Sequence, residues 1–196
     1  MKSDLIIPFL LTVNLMALTC YAVEHEDKSM VVKNVPYTLL DNNGKPTATN
    51  AHCASNASSG LTWELKTDDG GVHDKDNVYR WGGTGAEKTG TIFFDDWNNL
   101  LIATNKEKLC GFDDWRAPTI DELKTLATNI GKNPAIDTST FPLTLAMPYW
   151  SVSTYQNYPE HAKTVDFATG ASNYYNGFRG DRLPLRLVRS DNKGNQ

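Results

Sequence analysis

Hydrophobic positions fall in short runs along this chain, most alternating with polar ones, and only two stretches repeat at helical spacing. Residues 30–40 are β-prone (Val31, Val32, Val35, Tyr37, Leu39, Leu40) and stop at the turn signal Asp41-Asn42-Asn43-Gly44. Residues 47–60 are small and polar around Cys53 and read as a surface loop. Alternation over residues 60–66 predicts a strand with Leu61, Trp63 and Leu65 inward. A helix is predicted over 93–105, with Phe94, Trp97, Leu101 and Thr104 on one face and Asp95 and Asp96 in its positively polarised first turn. A second is predicted over 119–130. There Thr119-Ile120-Asp121-Glu122 fits the capping box, Ile120, Leu123, Ala127 and Ile130 form an apolar stripe, and Gly131 suits a left-handed residue past the last turn. Later strands are expected at 149–155, at 162–167 (turned by Ala168-Thr169-Gly170) and at 183–189. The pattern gives an α+β class: a single compact domain of short antiparallel strands with two main helices, spanning residues 31–190.

The first residues change the compartment. Lys2, a mostly apolar run over 5–18 and Cys20-Tyr21-Ala22 together predict a signal peptide over residues 1–22, cleaved after Ala22. A lipoprotein cut before Cys20 is the alternative, and Leu18-Thr19 fits it poorly. Pro8, Thr12 and Asn14 interrupt the apolar run, so no stable membrane span is expected. The protein is read as exported, to the periplasm or the cell surface, with loose segments at 23–30 and 191–196. Cleavage would leave two cysteines, Cys53 and Cys110, which pair as a disulfide in an oxidising compartment. The rival is a metal or redox pair, and neither cysteine stands in a Cys-x-x-Cys motif. A net charge of −4 excludes wholesale nucleic-acid binding.

Candidate chemistry is sparse. Asp68, Asp69, Asp74 and Asp76 around Gly70-Gly71 could wrap Ca²⁺, a hard cation that takes several oxygens, but no Glu closes the twelve-residue calcium-loop pattern. A solvated hairpin loop is the other reading, and the expectation is no cofactor. His25, His52, His73 and His161 are scattered and none sits beside a Ser or Cys in a recognisable catalytic setting except His52, next to Cys53, so no enzyme is expected. A ligand face is expected near residues 174–189, where Tyr174, Tyr175 and Phe178 adjoin Arg179, Arg182, Arg186 and Arg189. Aromatics there would stack on sugar rings, and guanidinium forks suit sulfate or carboxylate. Internal ion pairs to the many aspartates are the other use of Arg186 and Arg189.

Four motifs carry a resemblance. They are Gly60-Leu61-Thr62-Trp63-Glu64; Gly111-Phe112-Asp113-Asp114-Trp115-Arg116-Ala117-Pro118-Thr119 with Glu122-Leu123; Tyr149-Trp150-Ser151 followed by Val165-Asp166-Phe167; and Leu185-Arg186-Leu187-Val188-Arg189. In this order they resemble the exported bacterial domain family named for the C-terminal domain of a collagen-like adhesin, Lcl. The resemblance implies an α+β fold related to C-type lectins and to the formylglycine-generating (sulfatase-modifying) enzyme. It also implies binding of sulfated glycans in adhesion, with homo-oligomeric, often trimeric, assembly. This chain departs from the adhesin in having no collagen-like run of Gly at every third residue. It also lacks the lectin Glu-Pro-Asn and Trp-Asn-Asp motifs, Trp97-Asn98-Asn99 being a near miss. The functional expectation is a binding module of the cell envelope, for a glycan or for an envelope protein, an enzyme of the formylglycine-generating type being the lesser alternative.

Overall fold

Most of the alternating runs do become strands. In the computed structural model, which describes residues 37–90, 92–173 and 177–191, they form two antiparallel sheets. The first holds β1 (Thr38–Leu40), β2 (Cys53–Asn56), β3 (Leu61–Glu64) and β7 (Val188–Ser190), in the order β1-β2-β3-β7. The second holds β4 (Pro148–Thr154), β5 (Ala162–Asp166) and β6 (Ala171–Asn173) in sequential order. With α1 (Asn98–Glu107) and α2 (Ile120–Lys124) the class is α+β. The expected signal peptide, the loose segment 23–30 and residues 192–196 lie outside the described residues, as do Tyr174 and Tyr175.

Several boundaries differ from the pattern, each for a local reason. The expected loop around Cys53 is strand β2. Cys53 and Ala54 are small enough to sit wholly buried between β1 and β3. Alternation gave β3 one buried face, yet all four of its residues are buried, because Thr62 and Glu64 find polar partners inside. Thr62 donates to Asp191 at 2.6 Å. The first helix begins only at Asn98. Phe94 and Asp95 precede it in irregular chain, and Asp96 turns back to take the Arg80 guanidinium at 2.8–2.9 Å instead of capping the helix. This close approach needs Gly82 and Gly83. A Cβ on Gly82 would stand 1.8 Å from the Phe94 carbonyl oxygen, and one on Gly83 would stand 2.3 Å from the Trp97 ring.

The second helix is five residues long, not twelve. Its capping box forms as expected, Thr119 accepting from the Glu122 amide and Glu122 from the Thr119 amide. Past Lys124 the bonds tighten to the i→i+3 type, and Asn129 turns away to bond the Ile136 carbonyl at 2.8 Å. Ile120, Leu123 and Leu126 are buried, whereas Ile130 is 66% exposed and not part of the stripe.

The expected strand at 183–189 pairs only from Val188. Pro184 has no amide to give, and the segment runs between the two sheets. Leu183 exchanges two bonds with Tyr79, the Pro184 carbonyl accepts from Trp150, the Leu187 carbonyl accepts from Glu64, and Val188 exchanges two bonds with Arg116. Two apolar clusters fill the interior. One gathers Trp81, Trp97, Trp150, Leu185 and Leu187 with the cysteines, and the other gathers Trp63, Ile120, Leu123, Tyr149 and Phe167. Buried indoles place their N–H groups on carbonyls, Trp81 on Ser151 at 2.8 Å and Trp150 on Tyr79 at 2.6 Å, as burial of a donor requires.

Cys53 and Cys110 are bridged, closing a loop across 57 positions. Loop closure of this length is worth about 4 kcal/mol in the chain-entropy account. Cys53→Ala/Cys110→Ala is expected to lose that amount in denaturant unfolding. A loss below about 1 kcal/mol would show that the bridge is not a major support.

Candidate functional site

The Gly-Leu-Thr-Trp-Glu strand ends on a carboxylate with no solvent exposure. Glu64 accepts from Lys66 Nζ at 2.9 Å and His73 Nδ1 at 2.7 Å through one oxygen, and from the Leu187 amide at 2.8 Å through the other. Burial opposes its ionisation, but Lys66, His73 and the Leu187 amide outweigh that and hold its pKa down at about 2. Burial disfavours the charged form of Lys66 as well, and here it prevails over the Glu64 carboxylate, so the lysine pKa falls below its ordinary value. His73 meets the Glu107 carboxylate at the end of α1 with its other nitrogen. A neutral ring donates to one carboxylate only, whereas the protonated ring serves both. Burial works against the charge, and the two carboxylates raise its pKa above the usual 6.5.

Beside this network lies a pocket of about 340 Å³, lined by Leu39, the loop at Asn50–Ala51, Leu65, Lys66, the turn 139–143 and Arg186. Arg186 is fully buried beneath it. Its guanidinium donates to the Glu64 carbonyl at 2.6 Å and the Thr144 hydroxyl at 2.9 Å, contacts the Tyr149 hydroxyl and stands 5.1 Å from the centre of the Phe141 ring. Every one of these oxygens is uncharged. Among the described residues no carboxylate forms an ion pair with it, and its Nε has no partner.

The arginines expected to share one ligand face are dispersed. Arg179 is buried over the Trp81 ring, 4.2 Å from its centre, and donates to the carbonyls of Thr89, Ile92 and His161. Arg182 is exposed and lies 3.9 Å from Asp96 in an open groove with Arg80 and Asn99. Arg189 stacks on Phe112 and pairs with Asp114 and Asp191, the internal use that the sequence left open. Of the candidate calcium ligands, Asp68, Asp74 and Asp76 converge, one oxygen of each within 4.8 Å of the others. Asp69 turns to the Thr67 hydroxyl and the Gly71 amide. Lys75 reaches Asp68 at 2.9 Å and Asp76 at 2.6 Å, and Asp74 accepts from the amides of Asp69, Gly70 and Asp76. An ion here would have to displace the Lys75 ammonium.

The Gly111–Glu122 motif is a clamp. Gly111 takes a left-handed turn after Cys110, Trp115 is buried with its indole on the Leu109 carbonyl, and Pro118 leads into the Thr119 cap. Arg116 forks onto Glu122 at 2.5 and 2.8 Å and reaches Ser190, while Asp114 holds Arg189. The family model for the Lcl C-terminal domain matches residues 52–189. This chain belongs to that family. No curated protein and no solved structure shows a significant match to it. In this Lcl C-terminal domain the clamp locks α2 and the Cys110 turn to β7, and the motif strand ending at Glu64 lies at the pocket's edge. Among the described residues no helix is long and apolar enough to cross a membrane.

Sequence reasoning missed Glu64, Lys66 and His73 as one network. The available signal was a Glu and a Lys two positions apart at the end of a strand, hence on the same face.

Two outcomes follow from the network. Glu64→Gln strands Lys66 in the interior and is expected to cost about 3–5 kcal/mol in chemical unfolding. Because the folded pKa of His73 is raised, its contribution is complete below about 6.5 and is lost as pH climbs through the raised value. Melting temperature should therefore fall more steeply above neutral pH in the wild type than in His73→Gln, and parallel curves would refute the bridging role.

Proposed function

We propose that this protein is an exported, non-catalytic binding module of the bacterial cell envelope, and that it recognises an acidic glycan, carboxylated or sulfated, at the pocket over Arg186. One observation carries the reading: the buried Arg186 guanidinium rests on uncharged oxygens alone. An uncompensated buried cation is costly, and an anion placed above it recovers part of that cost. Lys66 adds a second cation to the pocket floor, and Asn50 offers an amide at the rim. The described histidines support the non-catalytic reading, since His73 is engaged by two carboxylates and the cysteine beside His52, Cys53, is held in the disulfide.

The test is binding of acidic and neutral oligosaccharides at low and physiological salt. Asn50→Asp is the informative variant. Asn50 has a left-handed backbone (φ 53°) that Asp also tolerates, so the fold is kept while a negative charge enters the rim. Acidic ligands should weaken about tenfold or more with melting temperature unchanged. Equal affinity in both proteins would move the binding elsewhere, and saturable capture of an envelope protein with no glycan affinity would favour a protein-interaction domain.

A further inference from the structure

The Arg186 pocket is lopsided in its chemistry. Its walls are apolar: Leu39, Ala51, Leu65, Phe141, Pro142 and Leu143. Its floor holds two cations, but Lys66 is matched by Glu64, so one charge is left to answer. Among the described residues no other Lys or Arg lines it. At the rim, Ser139 and Thr140 give their hydroxyls to Asp137, at 2.6 and 2.9 Å, so these side chains are already engaged. Among the described residues a polyanion lying across the pocket would find one unanswered cation, Arg186, and no further basic side chain in the lining. The volume of about 340 Å³ lies at the small end of the roughly 300–1,000 Å³ of small-molecule sites, room for one ring and not for a chain.

We infer that the pocket takes a single acidic sugar end-on: one carboxylate or sulfate toward Arg186, and an apolar substituent, such as an N-acetyl group or a short alkyl ether, against Phe141, Pro142 and Leu143. The inference rests on the acidic-glycan reading above and narrows it. Charge supplies direction, and the walls supply discrimination among acids. Phe141 is well suited to both, since its ring lies by the guanidinium on one side and is fixed edge-on by Tyr37 at 5.1 Å between ring centres.

The experiment is calorimetric titration of the protein with N-acetylneuraminic acid, N-acetylmuramic acid, glucuronic acid, neutral N-acetylglucosamine and a heparin oligosaccharide, at two salt concentrations. The N-acetylated acids should bind about fivefold to tenfold more tightly than glucuronic acid, as expected for one added apolar group. Raising the salt should weaken them only modestly, as for a single partly buried ion pair. Asn50→Asp should remove the advantage of acid over neutral sugar, and Leu143→Ser should remove the advantage of the N-acetyl group while sparing that of charge. Heparin binding tightest, with a steep salt dependence that Asn50→Asp abolishes, would overturn the single-sugar inference and leave the acidic-glycan reading standing. Glucuronic acid binding as tightly as the N-acetylated acids, or N-acetylglucosamine matching them, would overturn the inference too. Binding of no probe in a manner sensitive to Asn50→Asp would overturn both.

Discussion

The carboxylate of Glu64 is the constraint around which the rest is arranged. A charge in a dry interior persists only when its oxygens are fully answered, and here the answers come from separate parts of the chain: Lys66 beyond the strand, His73 from the acidic loop and the Leu187 amide from the closing segment. Each donor tethers its own piece of backbone to the end of β3. The loop 67–77, the end of α1 and the segment 183–190 meet there because a buried anion requires it. Apolar packing alone would leave their register loose, since the hydrophobic effect has no direction.

The same arrangement makes a pocket. Satisfying Glu64 commits Lys66 and leaves Arg186 with carbonyl and hydroxyl oxygens, so the floor carries one more positive than negative charge. The Gly111–Glu122 clamp is separate in purpose. Its ion pairs join neighbours within the motif and then β7, and it fixes the closing segment at one end while Glu64 fixes it in the middle. Motif residues of the family here do mostly structural work, and the pocket stands at their margin.

What could be read in the sequence was what depends on neighbours in the chain. The Thr119–Glu122 cap, the Asp-Gly turns and the paired strands near 150 and 165 are settled within a few residues of themselves, and the cysteine pair followed from counting. The fate of four arginines could not be read that way. Arg179, Arg182, Arg186 and Arg189 lie within eleven positions, and nothing local separates them. Their partners are Trp81 and Thr89, Asp96, Thr144, and Asp114, each supplied from far along the chain. The short α2 has a similar cause: the apolar period continued to Ile130, but Asn129 is claimed by the Ile136 carbonyl. The alternation in β3 misled because it reports sidedness only when one face meets water, and here neither does.

The path of residues 183–190 governs when this protein can become itself. That segment bonds in turn to Tyr79, Trp150, Glu64 and Arg116, so both sheets and both apolar clusters wait for it. On a ribosome, everything before it emerges without its central rope, and the long sequence separations make early closure slow. The native hydrogen bonding of both sheets is therefore complete only once the last residues of the domain are in place.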